Sequence, residues 1–216
     1  MQKNIQPSPW AEENDPIQQL ALEECVKRQR FDNAVSVLVL PAGGAKLASR
    51  FAALGARVTL ADRAERKQEI EGRVLAAGYP DHIRFAATEL PSPPAQDPAA
   101  PYDIIVFRHG LCKLPYARGK QLIQQLMQQL KIGGKLYLSI IGLHSELGEG
   151  YAGHEQSIYE RWGKLSPAMA RKYDVRDEVC LYSERDLFLL LLESGASVLR
   201  TLTTTWGNVK GVAVRV

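Results

Sequence analysis

Residues 35–62, VSVLVLPAGGAKLASRFAALGARVTLAD, restrict this chain more than any other stretch. An apolar run over 35–40 ends at Pro41, Ala42, Gly43 and Gly44. Leu47, Phe51 and Leu54 then recur at i, i+4 and i+7, the spacing of one helix face, until Gly55 closes the segment. A second apolar run over 57–61 ends in Asp62. The order is strand, glycine turn, helix, strand, acid. Two strands joined through a helix pair in parallel, so the unit demands a parallel sheet with a helix on its face.

The remaining segments extend that unit. Asp15 before Pro16 is a helix start, a capping side chain followed by proline at the first helical position. Ile17, Leu20, Ala21 and Cys25 give the helix a narrow apolar stripe up to Arg30, suited to pack on the sheet or cover a ligand cleft. Residues 1–14 read as an irregular arm in which Trp10 is fit to pack. Ile70, Val74 and Ala77 predict a helix over 63–77, stopped by Gly78 and Pro80. A short strand over 82–87 follows, with Glu89 beyond it, and then the proline-rich loop 91–101. DIIVF at 103–107 is a buried strand leading into Arg108, His109 and Gly110. A helix from Tyr116 carries Leu122, Ile123, Leu126, Met127 and Leu130, is ended by Gly133 and Gly134, and precedes a strand over 135–141.

The rhythm breaks over 142–182, where only a short helix near 157–162 is expected. The loop after a strand's carboxyl end faces the ligand crevice of an open α/β sheet, so this segment reads as a substrate-covering insertion. Ser183 with Asp186 resembles a capping pair for a helix through Leu187, Leu190 and Leu191, closed by Gly195. Strands over 196–205 and 209–216 flank a turn at 206–208. The expected fold is a Rossmann-like, doubly wound α/β sheet, mostly parallel, with a C-terminal antiparallel hairpin. An arm and capping helix occupy 1–30, and the α/β domain 31–216.

Composition narrows the function classes. A net charge of +3 and the lack of a basic stripe interleaved with aromatics argue against a nucleic-acid partner. Cys25, Cys112 and Cys180 are dispersed and odd in number, which suits a reducing compartment. No apolar run approaches the ~20 residues that span a bilayer, and the polar start lacks a signal-peptide core. The expected location is the cytoplasm, with no membrane partner. His144 and His154, with Glu146, Glu149 and Glu155, match no standard zinc spacing, so no metal site is expected.

From residue 35 onward the chain resembles the class I S-adenosylmethionine-dependent methyltransferases. The first strand and glycine turn stand where that family has VLDLGxGxG. Asp62 and Glu89 match its acids after the second and third strands. YDIIVFRHGLCKLP is similar to its fourth-strand segment, LKIGGKLYLS to LxPGGxLxxS, and TTTWGNVKGVAVRV to its reversed hairpin. The resemblance implies S-adenosylmethionine as cofactor. Ala42, Gly43 and Gly44 would meet its carboxylate, Asp62 its ribose, Glu89 its adenine, and Arg108 would line the cleft. Asp62 has a second reading as a helix cap. His109 is either a base, since imidazole titrates near neutrality, or a hydrogen-bonded structural histidine. His144, Tyr151 and Tyr159 would contact a small-molecule acceptor or anchor the insertion. No oligomeric state is implied. Val39 stands where the family usually carries an acid, and Pro41 and Ala45 where it carries glycines. Two alternatives accompany this reading: a non-catalytic binding module on the same fold, and a short-chain dehydrogenase. The latter's YxxxK pair would be Tyr116 and Lys120, which lie out of that family's order and read instead as residues on a helix surface.

Overall fold

The structure, a computed structural model, describes residues 15–31, 34–89, 91–95 and 100–216. The expectations for the arm, Trp10 included, and for the middle of the proline-rich loop fall outside those residues. Elements follow in the order α1 (Pro16–Gln29), β1 (Ser36–Leu40), α2 (Lys46–Ala53), β2 (Arg57–Asp62), α3 (Lys67–Ala76), β3 (Ile83–Ala87), β4 (Tyr102–Arg108), α4 (Tyr116–Gln128) and β5 (Leu130–Ile140). Then come α5 (Pro167–Tyr173), α6 (Glu184–Glu193), β6 (Ser197–Thr203) and β7 (Val209–Val214).

The strands form one sheet in the order β3-β2-β1-β4-β5-β7-β6. β7 runs antiparallel to both β5 and β6, and the other pairings are parallel. This is the predicted doubly wound sheet with a reversed hairpin. Strand alternation divides the core in two. Val37, Val39, Ile104, Val106 and Tyr137 pack beneath α1, α2 and α3. Leu38, Leu40, Ile105, Phe107 and Leu138 pack on the opposite face with α4, α6 and the insertion. No helix among the described residues is long and apolar enough to cross a membrane. Cys25, Cys112 and Cys180 are free and buried, and burial pushes the thiols of Cys112 and Cys180 up to about 12.

Helix α1 packs on the sheet. The Asp15 Oδ1 cap accepts from the Ile17 amide at 3.0 Å. Glu24 is bonded by Lys135 at 2.6 Å and Arg28 at 2.9 Å, and Arg28 reaches Asp103 at 3.4 Å, which ties the helix to β4 and β5. The capping box of α6 is complete: the Ser183 hydroxyl accepts from the Asp186 amide, and Asp186 accepts from the Ser183 amide.

Three local expectations change. The strand expected over 135–141 begins at Leu130, which is fully buried and pairs with Tyr102 before a bulge. In the insertion the helix lies at Pro167–Tyr173, where Ser166 caps and Pro167 opens it, and residues 157–162 hold only a turn at 158–160. Tyr116 is buried rather than on a helix surface. It stacks edge-on to Tyr159 at 4.9 Å, while Lys120 pairs with Glu193 at 3.3 Å. Burial and the Glu193 charge hold the Tyr116 phenol well above its ordinary range, the opposite of what a dehydrogenase's proton donor needs.

Candidate functional site

Strand order reverses between β1 and β4, and the crevice of such a sheet opens at the carboxyl ends of those strands. Four segments meet there: the turn after β1, Asp62 at the end of β2, Arg108 to Gly110 after β4, and the start of the insertion after β5.

The turn keeps its backbone free at only part of its length. The Ala42 amide donates to Ala61 O at 2.9 Å, and the Ala45 amide to Ala42 O at 3.2 Å. The amides of Gly43 and Gly44 donate to no described residue. They lie just ahead of the amino terminus of α2, where unpaired N–H groups and the helix dipole favour an anion. Ala45 adopts φ +64°, a left-handed conformation that disfavours any Cβ.

Asp62 is 1% exposed. Its Oδ1 accepts from the Arg63 amide at 2.9 Å, and its Oδ2 from Arg66 Nη1 at 2.7 Å. Arg66 Nη2 also donates to Gly43 O at 3.0 Å. Arg66 therefore bridges the acid and the glycine turn and covers the carboxylate. Its i, i+4 spacing from Asp62 was a readable signal in the sequence. Glu89 is exposed just beyond β3, and its carbonyl accepts from the Ser92 amide at 2.8 Å.

Arg108 is half-buried at the end of β4. Its guanidinium makes no ion pair or hydrogen bond with a described residue, and its Nε is buried without a partner. Nη2 lies 2.9 Å from the point that a Cβ on Gly43 would occupy, and Arg73 Nη1 lies 3.1 Å from the corresponding point on Gly44. Burial draws the Arg108 pKa below its usual value and Asp15 opposes that shift, but a guanidinium stays charged. His109 follows at φ +59°, its amide donating to Ser139 O at 2.7 Å. A non-glycine residue in this region, at a strand end facing a crevice, is where folds commonly store strain for function.

Arg108, Ser139 and Lys210 stand opposite one another on β4, β5 and β7, so they form a polar row on one face. Lys210, 1% exposed, donates to Ser139 Oγ at 2.6 Å and pairs with Asp15 at 3.2 Å. Apart from Arg108, this row escaped the sequence reading. Its only trace was a lone lysine inside an otherwise apolar strand.

The insertion residues divide. Tyr151 is buried and donates to Val179 O at 2.7 Å, an anchoring role. Tyr159 is exposed, donates to Glu193 at 2.6 Å and lies on the α4–α6 side rather than beside Arg108. His144 is exposed, with its ring edge-on to His154 at 6.0 Å. No group of three or more metal-ligating side chains occurs among the described residues.

No protein-family model matches the sequence, and no curated protein matches it. Solved structures do match. A methyltransferase described as S-adenosylmethionine-dependent, from Methanosarcina mazei, is 20% identical over 88% of this chain and 97% of its own, with a TM-score of 0.64. An O-methyltransferase family 2 protein from Planctomyces limnophilus, in complex with apigenin, is 15% identical over 84% of this chain and 51% of its own, at 0.61. PigF, solved with SAH, is 14% identical over 89% of this chain and 54% of its own, at 0.62. The chain spans about half the length of several such structures, 55% in the case of the methyltransferase SibL.

Proposed function

We propose, from a chain that carries the fold of the class I S-adenosylmethionine-dependent methyltransferases, that this protein binds S-adenosylmethionine and transfers its methyl group to a small-molecule acceptor. The observation that carries the reading is the crevice itself. The free amides of Gly43 and Gly44, the Asp62 carboxylate and the end of β4 meet at the switch point of a sheet with this strand order. Solved relatives of the fold hold SAH in one case and apigenin in another, which supports an adenosyl cofactor and a small acceptor.

A sulfonium is an activated leaving group, so the cofactor supplies the electrophilic methyl. The protein's part is alignment and, for a hydroxyl acceptor, removal of a proton. Gly43 and Gly44 receive the methionine carboxylate. Asp62 accepts from the ribose hydroxyls once Arg66 swings away, and Glu89 faces the adenine amine. His109 stands beside Arg108 at the reacting end and takes the acceptor proton. Residues 142–182 cover the acceptor, with His144 as its exposed contact. The three buried, free thiols support placement in the cytoplasm.

Thermal shift with SAH, S-adenosylmethionine and NADP tests the reading. An adenosyl ligand at ~100 times its dissociation constant stabilises by about 2.7 kcal/mol, a visible change in Tm. No shift with either adenosyl compound at millimolar concentration overturns the proposal. A shift with NADP alone turns the assignment toward a dehydrogenase.

A further inference from the structure

Three guanidinium groups approach the Gly43–Gly44 turn, and they are not equivalent. Arg66 is matched by Asp62 at 2.7 Å and Glu69 at 3.2 Å, and Arg73 by Glu69 at 2.8 Å. Among the described residues Arg108 has no such acid. The charge that acts on it is Asp15, and that carboxylate is already paired with the buried Lys210 at 3.2 Å. Among the described residues Arg108 is therefore a surplus cation, with its Nε buried and unbonded and Nη2 laid against Gly43. Leaving a buried charged donor unbonded is costly, and an anion at that point removes the cost.

Among the described residues the same end of the crevice offers a cation no unpaired carboxylate. Asp62 and Glu69 are spent on arginines, and the side chain on β1 that precedes the turn on this face is the fully buried Val39. An anion finds the Arg108 fork, the Gly43 and Gly44 amides and the amino end of α2.

We infer that Arg108 makes this end of the crevice a carboxylate subsite, so that an adenosyl ligand is held through its α-carboxylate and draws almost nothing from its ammonium group. The inference rests on the adenosyl-ligand reading above and adds to it the group that is recognised. It makes Arg108 the specificity residue for the amino-acid end of the ligand.

Calorimetric titration of the full chain tests it with SAH, with the SAH analogue that lacks the amino group and with the analogue that lacks the carboxylate. Loss of the carboxylate should weaken binding at least tenfold, and loss of the amino group should change it less than threefold. In Arg108→Met the three ligands should bind within threefold of one another, and Arg108→Lys should restore part of the discrimination. The wild-type ranking keeps the test valid if either variant fails to fold. Equal losses for the two analogues, a larger loss for the amino-free one, or undiminished discrimination in a folded Arg108→Met protein overturn the inference while leaving the methyltransferase reading standing. Failure of SAH itself to bind the wild-type chain overturns both.

Discussion

At the scale of single residues, the contact that most shapes the crevice is Arg66 on Asp62. Both Asp62 oxygens already accept hydrogen bonds, and the carboxylate is sealed from solvent. A ribose has to displace Arg66, which costs part of the binding energy. Arg66→Ala should therefore tighten SAH binding severalfold. Asp62→Ala should weaken it by about 100-fold or more, because it removes a charged acceptor of two hydrogen bonds. Titration calorimetry of the two variants checks the pair of signs, and weaker binding in Arg66→Ala counts against a displaceable cover. Ala45 makes a second residue-scale prediction. At φ +64° an alanine is strained by about 1 kcal/mol, so Ala45→Gly should raise unfolding stability by roughly that amount in urea. Asp62 was legible in the sequence because a strand followed by an acid is a local pattern. The unbonded state of Arg108 was not, since it depends on Asp15, far off in the chain, being paired with Lys210.

Among the elements, the insertion and α1 are held by buried polar hubs. Arg161, 7% exposed, donates to Asp186 at 2.5 Å, Leu181 O at 3.1 Å, Gly153 O at 3.1 Å and Gln156 O at 2.8 Å. One side chain thus ties the 153–156 turn and Leu181 to the cap of α6. Arg161→Met should destabilise by about 3–5 kcal/mol, since it breaks a buried pair and strips three carbonyls of a donor. Urea unfolding measures this, and a loss below 1 kcal/mol would show the hub to be dispensable. For α1 the prediction concerns pH. Burial alone would raise the Glu24 pKa, but the bond and charge of Lys135, with Arg28, hold it below the ordinary value. A carboxyl lowered in the folded state contributes stability that is complete above its unfolded pKa and is lost as pH falls through the folded one. Glu24→Gln should lower Tm at pH 7, and the gap should close between about pH 5 and 3. A gap that persists at pH 3 would point to packing instead. The capped starts of α1 and α6 were readable because a cap is written within four residues. The helix at Pro167–Tyr173 carried the same kind of signal, Ser166 before Pro167, but its weak apolar spacing hid it.

For the whole molecule, alternating helices and strands and a terminal pair of adjacent strands were enough to expect the sheet that is observed. Strand alternation also assigns each apolar side chain to one of the two cores. These features depend on residues two, three or four positions apart, and a chain carries them before it folds. The Arg66–Asp62 pair is local, but the other contacts that give the crevice its chemical character join distant segments. Asp15 meets Lys210, Lys210 meets Ser139, Arg66 reaches back to Gly43, and Arg108 settles on the same glycine. The sequence by itself determined the element order, the caps, the reversed hairpin and the place of the crevice, because periodicity and turn chemistry are local. Only the tertiary structure decided that Arg66 also reaches back to the glycine turn, that Arg108 has no acid of its own among the described residues, and that the turn faces positive charge. Those outcomes depend on how charges far apart in the chain are shared once packing has brought them within a few ångströms.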